Sequence, residues 1–392
     1  MTMPTTTLRY CVRCLYSETK PDLYFDDKGV CSACRSFEGR KEIDWGARRD
    51  EFETVVSRYK DPDRSNYDCL VPVSGGKDST AQVLRLLEAG VNPLCVTATT
   101  DSLSDVGRQN IENIRQLGVD YVEVTMNPLV RRRLNKLALI EVGDISWPEH
   151  VTIFTVPVRI ATQMGIRLIV WGENPQNEYG GPAAASENNT LDRSWLEEFG
   201  GLLGLRVSDL RDFDESIASH NLIQYIYPSN EELQRARLTA VFLGYYFPWD
   251  GYANALYAQA FGFTTFDRMV EGSLANYENL DNYQTGIHDY FKYLKYGFGR
   301  ATDIANNHIR RGRLSRQDAW RMVRRHDGHF PWTYLGRPIE DILKEIDVTL
   351  DEFVQVCDKF TNRALFECDP SGNLVKSRDG ELTLSCAPVD LG

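Results

Sequence analysis

The chain has 392 residues, of which 42% are hydrophobic and 26% are charged. This is the balance of an ordinary globular protein with room for a sizeable core. The formal net charge of −12 at pH 7 argues against a long nucleic-acid ligand, since such ligands are gripped by basic surfaces. No apolar run is long enough to span a bilayer, and the first residues lack the apolar core of a signal peptide. We therefore expect a cytoplasmic protein with no nucleic-acid or membrane partner.

Changes in composition along the chain predict four parts. Residues 8–40 are rich in cysteine and poor in apolar patterns, and residues 41–64 resemble a polar helix and linker. We predict an α/β domain at 60–185, a mostly helical region for substrate or partner at 186–365, and a loosely structured tail at 366–392.

The N-terminal segment contains two Cys-x2-Cys pairs. Cys11 and Cys14 are separated by 16 residues from Cys31 and Cys34, a spacing that lets four thiolates surround a metal ion tetrahedrally. Four sulfur ligands close the coordination shell, so the spacing predicts a structural Zn²⁺ site. An iron–sulfur cluster and a redox pair are the alternatives.

After this segment, short apolar stretches alternate with helical patterns. The predicted strands are Asp68–Val73, Pro93–Thr99, Tyr121–Thr125 and Arg167–Trp171, and the predicted helices are Lys77–Ala89, Asp105–Leu117 and Val151–Met164. The alternation predicts an α/β fold with a doubly wound parallel sheet. Further along, Thr239–Phe247 fits either a late strand or a buried helix.

A glycine-rich stretch, VSGGKDS at residues 73–79, stands between the first strand and the first helix of this pattern. Gly75 and Gly76 can adopt backbone angles that are closed to other residues, so that successive N–H groups face one anion. The N-terminus of the following helix adds free N–H groups and a positive dipole end. Lys77 adds charge, and with Asp78 it is a candidate catalytic residue. The stretch therefore predicts a phosphate-binding loop, with a tight turn of no further role as the alternative.

The SGGKDS stretch resembles the signature of the PP-loop ATP pyrophosphatases. This resemblance implies an adenine nucleotide alpha hydrolase-like fold, cleavage of ATP to AMP and pyrophosphate, and a loop that holds the departing pyrophosphate. It also implies that the second strand edge lies along the adenine. The predicted ATP-binding residues in these segments are Val73, Ser74, Gly75, Gly76, Lys77, Asp78, Ser79, Thr97, Ala98 and Thr99.

The end of the fourth predicted strand carries polar residues. Ligands of doubly wound sheets bind at the carboxyl ends of the strands, so Gly172 is a predicted ATP contact and Glu173 a predicted Mg²⁺ ligand and catalytic residue. The following loop supplies candidate sugar contacts, with a solvated surface turn as the alternative. These contacts are Asn174, Asn177, Glu178 and Tyr179.

Later in the chain, Lys295 and Arg300 are predicted to complete a triphosphate site. The structural alternative is that Asp303 caps the helix that follows. Trp249 and Asp250, in an aromatic run, are candidate sugar contacts, although core packing explains such runs more often. The dispersed histidines, His288 among them, show no convincing metal-ligand spacing and are interpreted as surface or hydrogen-bonding residues.

Five stretches together resemble the N-acetyl sugar amidotransferases, a branch of the PP-loop enzymes. They are CVRC…FDDKGVCSAC, VSGGKDS, WGENPQNEYGG, GYYFPWD and KYGFGRATDIANNHIRRGRLSRQDA. The resemblance implies that an acetamido group of a nucleotide-activated sugar becomes an acetamidino group, in surface-polysaccharide, O-antigen or pseudaminic-type flagellin-sugar biosynthesis. It implies ATP and Mg²⁺ as cofactors. It also implies a separate class I glutaminase that supplies ammonia, with a cyclase-like companion as a further partner.

Two rival functions remain open at this stage. A PP-loop tRNA sulfurtransferase would share the loop and the cysteine pairs, but it would usually need further catalytic cysteines and a basic RNA surface. A non-catalytic scaffold of a polysaccharide-assembly complex would keep the fold without cleaving ATP. The intact SGGKDS argues against the scaffold.

Overall fold

The structure is a computed structural model, and it describes residues 8–60, 62–63, 65–173 and 217–385. Five parallel strands form the central sheet, in the order β3-β2-β1-β4-β5. The strands are β1 Cys69–Pro72, β2 Pro93–Ala98, β3 Asp120–Val124, β4 Leu168–Trp171 and β5 Thr239–Phe242. The doubly wound parallel sheet predicted from the sequence is therefore present. Its fifth strand comes from the stretch for which strand and helix had both remained open.

Helices cover both faces of this sheet. In chain order they are α1 Ser32–Gly39, α2 Trp45–Tyr59, α3 Lys77–Glu88, α4 Asp105–Arg115, α5 Pro128–Leu137 and α6 Trp147–Met164. Alternate strand residues such as Leu70 and Ile169 pack against α5 and α6. Their neighbours, such as Val71 and Val170, pack against α2, α3 and α4. Because both faces are buried, the strands are apolar throughout, as parallel strands between helices are expected to be.

Among the described residues beyond β4, most of the regular secondary structure is helical. Their helices are α7 Asn230–Ala236, α8 Leu243–Tyr246, α9 Gly251–Gln259, α10 Thr285–Tyr296, α11 Arg300–Arg310, α12 Arg316–Val323, α13 Ile339–Lys344 and α14 Leu350–Phe360. A two-stranded antiparallel sheet pairs β6 Thr333–Tyr334 with β7 Arg337–Pro338. Residues of α10, α13 and α14 form a second apolar core, separate from the cores of the large sheet. Within the described residues, no helix has the length and apolar character needed to cross a membrane.

Local sequence signals explain where several helices begin and end. Thr349 and Glu352 form a capping box at the start of α14, and Ser104 caps α4 through the N–H of Gly107; such side chains satisfy N–H groups that have no partner within the helix. Gly165 ends α6 with a φ of 69°, a left-handed conformation that glycine adopts without steric cost.

The described part of the predicted tail, residues 366–385, contains isolated antiparallel bridges but no helix or strand, and Phe366 and Leu382 are buried in the second core. The helix cap considered for Asp303 is not formed. Asp327 instead accepts hydrogen bonds from the N–H groups of Gly299 and Ala301, at the start of α11, at 2.9 and 3.0 Å.

The cysteine-rich segment is packed against α11 and α12. Tyr16 donates its hydroxyl to Asp303 of α11 at 2.9 Å, and the Leu15 N–H donates to Asn306 of the same helix at 2.7 Å. Arg316 of α12 donates to the carbonyl oxygens of Cys11 and Cys14. The segment is thereby fixed to the C-terminal half of the chain.

Candidate functional site

The glycine loop turns sharply between β1 and α3. Gly75 has a φ of +87°, and Gly76 precedes α3 without a side-chain hydrogen bond to cap the helix. The hydroxyl groups of Ser79 and Thr80 donate to the Gly76 carbonyl at 2.9 and 3.1 Å. These bonds hold the loop while leaving the N–H groups at the start of α3 available to an anion.

Gly75 is also required by its surroundings. A Cβ at this position would lie 3.1 Å from both the backbone nitrogen and a side-chain carbon of Ile111 in α4. The left-handed φ adds about 1–2 kcal/mol of strain for any residue other than glycine. Loop and helix are therefore packed too closely for a side chain at this position.

A cleft of about 500 Å³ opens at the carboxyl ends of the strands. Its walls include the glycine loop after β1 and residues at the end of β4. These two strands are neighbours in the sheet. β2 and β3 lie on the far side of β1 and β5 lies on the far side of β4, so the strand order reverses between β1 and β4. Such a switch point is where doubly wound sheets bind ligands. The cleft is lined by nine of the predicted site residues, namely Val73, Ser74, Asp78, Ser79, Thr97, Ala98, Gly172, Glu173 and Arg300.

Lys77 begins α3 as a buried ion-paired residue. Its Nζ lies 2.7 Å from Asp78 Oδ2 and 2.8 Å from Glu278 Oε2. Burial lowers the pKa of the ammonium group, but the charges of the two carboxylates outweigh burial and raise the pKa above its ordinary value. Lys77 is therefore charged, and its charge is shared between two carboxylates beside the loop.

Carboxylates that the sequence analysis did not select surround the cleft. Glu149, on α6, accepts hydrogen bonds from Thr100 and Asn282, both at 2.5 Å. Burial, together with the negative charges of Asp101 and Asp281, raises the pKa of Glu149 to about 8. Burial likewise raises the pKa of Asp281, which lines the cleft. Glu149 is therefore predominantly protonated at neutral pH.

Two histidines meet at one wall of the cleft. His288 of α10 places Nδ1 2.8 Å from Asp144 Oδ1, and Nδ1 of His150 lies 3.8 Å from the other oxygen of Asp144. The two imidazole rings are 5.1 Å apart, edge to face. Burial lowers the pKa of His150 to about 4. Burial also acts to lower the pKa of His288, but the charge of Asp144 outweighs it and the pKa is raised.

The other predicted residues that the structure describes, including Gly75, Gly76 and Lys77 of the loop itself, are not among the residues that line the cleft. Lys295 donates to the carbonyl oxygens of Val142 and Gly143 at 3.1 and 2.9 Å. Asp250 caps α9 and forms ion pairs with Arg311 and Arg313. Neither residue belongs to the described lining of the cleft.

Trp249 and Thr99 also lie outside that lining. The Trp249 ring is buried and lies 3.2 Å from the position that a Cβ on Gly172 would take, so it packs beneath the end of β4. Thr99 donates its hydroxyl to Glu123 at 3.1 Å. The four predicted sugar contacts Asn174, Asn177, Glu178 and Tyr179 fall outside the described residues.

The four N-terminal cysteines converge as the sequence predicts. Their sulfur atoms all lie within 4.8 Å of one another, and all four residues are buried. Cys14 and Cys31 place their sulfurs 3.6 Å apart, and Cys11 and Cys34 4.0 Å apart. A tetrahedron with metal–sulfur bonds of about 2.3 Å has sulfur–sulfur edges of about 3.8 Å. The cysteines therefore form a group that can hold a tetrahedral metal ion such as Zn²⁺.

Backbone N–H groups support the thiolate form of this group. The N–H groups of Arg13 and Cys31 lie 3.4 and 3.3 Å from the sulfur of Cys11. Hydrogen bonds of this kind stabilise a charged sulfur ligand and orient it. Among the described residues, this is the one group of three or more His, Cys, Asp or Glu side chains close enough together to share a metal ion.

Several residues between 279 and 300 line the cleft although their sequence pattern did not mark them as site residues. Asn279, Asp281, Thr285 and His288 all line the cleft, together with Arg300. Among these residues, only Arg300 and His288 attracted attention in the sequence, and His288 did so as an ordinary hydrogen-bonding residue. The signal that was available is a cluster of polar residues at the start of a helical pattern, which by itself does not identify a site.

Comparison with known proteins gives one family match. Residues 263–377 match the model of a family described as LPS biosynthesis protein WbpG-like, C-terminal domain. This range includes most of the second apolar core and the part of the cleft wall that carries His288 and Arg300. No curated protein matches the chain. Among solved structures, that of NMN synthetase from Francisella tularensis is similar, with 12% sequence identity, 50% of this chain and 96% of that chain covered, and a TM-score of 0.26.

Proposed function

We propose that the chain is an ATP-dependent, AMP-forming amidotransferase that converts an acetamido group of a nucleotide-activated sugar into an acetamidino group. The observation that carries the proposal is the glycine loop, which opens α3 without a side-chain cap at the switch point of a parallel sheet and faces a cleft. An uncapped helix N-terminus at that position suits a phosphate group. The cleft volume of about 500 Å³ falls within the range of small-molecule sites.

ATP would lie with its phosphates against the glycine loop and its adenine along the end of β2. Gly75 permits close approach of the backbone, and the N–H groups of α3 supply hydrogen-bond donors. Arg300 lines the same cleft. Its guanidinium donates to both carboxylate oxygens of Asp289 at 3.2 and 2.9 Å, so a phosphate group would have to compete with that carboxylate for it. These residues hold the nucleotide in place for attack on its α-phosphate.

Magnesium fits the charge balance of the cleft. Its described lining includes Asp78, Glu149, Glu173 and Asp281, and these carboxylates do not form a preassembled group of three ligands. Mg²⁺ is commonly held by one or two carboxylates together with substrate phosphates and water. Glu173, at the end of β4, is our proposed ligand, and the ion would shield the phosphates from the acidic walls.

The sugar substrate and the source of ammonia rest on the similarity of the sequence to N-acetyl sugar amidotransferases. The match of residues 263–377 to a domain of an LPS biosynthesis protein supports a role in polysaccharide biosynthesis. An amide carbonyl resists ammonia because its oxygen is a poor leaving group, and transfer of AMP to that oxygen removes the obstacle. A separate glutaminase is the proposed source of ammonia in the cell.

We assign a structural zinc ion to the four cysteines. The sulfur geometry fits a closed tetrahedral shell, which leaves no position open for a substrate. The segment also contacts α11, the helix that begins with Arg300. Zinc would thus stabilise the part of the chain that forms one wall of the cleft.

Pyrophosphate exchange tests the proposal. The protein is incubated with ATP, Mg²⁺, labelled pyrophosphate and a panel of nucleotide-linked acetamido sugars, without ammonia. We expect label to enter ATP with at least one sugar, because adenylation of the amide is reversible until ammonia arrives. Exchange with a tRNA in place of a sugar would favour the sulfurtransferase instead, and no exchange with any acceptor would contradict the proposal.

A further inference from the structure

The pair formed by His288 and Asp144 has the geometry of an oriented base. Nδ1 of His288 lies 2.8 Å from Oδ1 of a buried aspartate, and His288 lines the cleft that the glycine loop faces. A carboxylate bound to one imidazole nitrogen fixes the tautomer and leaves the other nitrogen to exchange a proton. The proposed nucleotide site makes no use of either residue of this pair.

The proposed reaction requires such a group at one step. Ammonia adds its nitrogen to the carbon of the adenylated amide, a C–N bond forms, and the C–O bond breaks as AMP leaves with the electron pair. The added nitrogen enters with three hydrogens and remains in the acetamidinium product with two. Because transfer of AMP to the amide oxygen leaves the amide N–H in place, the adenylated amide and ammonia together carry four hydrogens on nitrogen, whereas the acetamidinium product carries three. One proton must therefore leave the two nitrogens as AMP departs.

Resting on the proposed function, we infer that Nε2 of His288 is the general base that removes this proton, with Asp144 as its positioning residue. The proton passes from the added nitrogen to His288 and then to solvent, so atoms and charge balance without a further reactant. A positioned base of this kind contributes about 10²–10⁴-fold to a rate.

The neighbouring groups are less suited to this task. His150 is a weak base, since burial lowers its pKa to about 4. Both carboxyl oxygens of Glu149 already accept hydrogen bonds, from Thr100 and Asn282. His288 instead has one ring nitrogen, Nδ1, held by Asp144 at 2.8 Å, which leaves Nε2 as its proton-accepting atom.

The charges around His288 come from four elements. Asp144 lies on the turn before α6, His150 on α6, and Arg300 at the start of α11, while Asp289 is the next residue of α10. Lys295 adds its charge near Asp144. The carboxylates of Asp144 and Asp289 favour the imidazolium form of His288, and Arg300 opposes it.

The test separates the two steps of the reaction. In the His288→Asn variant, the amide nitrogen takes the place of Nδ1 and keeps a donor for Asp144, while the base is removed. We expect pyrophosphate exchange within about twofold of wild type, and amidine formation from preformed adenylate and ammonium slower by about 100-fold or more. His329→Asn is the matched control, because His329 also pairs with a carboxylate, that of Glu381 at 2.5 Å, outside the cleft.

Further measurements distinguish a base from a structural residue. With free ammonia held constant, the wild-type rate of amidine formation should rise with pH as His288 loses its proton, and His288→Asn should lose that dependence. Added imidazole should partly restore the variant. Unchanged amidine formation in His288→Asn, or equal loss of exchange and amidine formation, would overturn the inference. Absence of exchange in the wild-type protein would instead overturn the proposed function on which the inference rests.

Discussion

The cysteine group and the cleft are assembled in different ways. The four cysteines lie within the first 34 residues, in two short pairs, and their sulfurs meet within 4.8 Å. The cleft draws its walls from the glycine loop, from α6 and from residues 279–300. Local spacing specifies the first site almost entirely, whereas the second depends on how distant segments pack.

The cysteine group and the cleft are nevertheless connected through residues that contact one another. Tyr16, beside the cysteines, bonds to Asp303 of α11, and Arg300 at the start of the same helix lines the cleft. Asp303 is also ion-paired with Lys292 of α10, the helix that carries His288. A metal site with a closed shell can thus influence the chemistry only through the position of these helices.

Breaking the cysteine group should have the largest effect. Cys34→Ser removes one of four ligands, and structural zinc supplies about 10 kcal/mol or more of folding free energy in small metal-dependent domains. We expect loss of about one zinc per chain and unfolding of the first 40 or so residues. Metal analysis and thermal unfolding, with the exposed Cys368→Ser as control, check this expectation. An iron content, or a Cys34→Ser protein as stable as the control, would contradict it.

A side chain in the glycine loop should abolish nucleotide chemistry, at a smaller cost in stability than loss of a cysteine. Gly75→Ala places a methyl group 3.1 Å from Ile111 at a φ of +87°. Gly118→Ala is the matched control, since it has a φ of +84° and open space around the new carbon.

Both variants should lose about 1–2 kcal/mol of unfolding free energy from the left-handed backbone. Only Gly75→Ala should lose pyrophosphate exchange, by about 100-fold or more, because the backbone donors move. Equal exchange activity in the two variants would separate the loop from the nucleotide site.

The Glu149→Gln substitution, which removes a titratable carboxyl group, should change how the free energy of unfolding depends on pH. Burial and Asp101 raise the pKa of this residue to about 8, above its ordinary value of 4.5. The protonated carboxyl group contributes to stability in full below the pKa that Glu149 has in the unfolded chain. This contribution is lost as pH rises through the pKa that it has in the folded protein.

Between about pH 5 and about pH 8, the wild-type unfolding free energy should therefore fall relative to Glu149→Gln, by up to about 1.4 kcal/mol per pH unit. Urea unfolding of both proteins across this range measures the difference. Parallel profiles would show that Glu149 is ionised in the folded protein and that its neighbours do not repel it.

The smallest expected effect concerns the contact between the two regions. Tyr16→Phe removes the hydrogen bond to Asp303 and should lower the unfolding free energy by about 1 kcal/mol. Bound zinc should remain unchanged, while Tyr24→Phe, at a residue that is 61% exposed, should have no effect. A loss of zinc in Tyr16→Phe would mean that the contact with α11 is needed to form the metal site.

The sequence predicted the contiguous features well. Two cysteine pairs, a glycine loop between strand and helix, and the alternation around residues 68–171 each depend on short-range spacing, and the structure contains all of them. Apolar periodicity is a local property and survives in any fold that buries those residues.

Charged residues were harder to place, because a sequence does not show which acceptor a cation will meet. Lys295, predicted to bind phosphate, donates to two backbone carbonyls, and Lys77 pairs with the distant Glu278. The meeting of Asp144 with His288 likewise depends on the packing of α10 beside α6. Only the folded chain brings these groups together.

Oxygen transfer from the sugar is the most direct test of the central claim. The protein is supplied with ATP, Mg²⁺, ammonium and an acetamido sugar nucleotide whose amide oxygen is oxygen-18, and the products are examined by mass spectrometry. The account predicts heavy oxygen in AMP, in equal amount to a sugar in which that oxygen is replaced by an NH group. AMP without the heavy oxygen, or a modified sugar formed without AMP, would contradict adenylation of the amide.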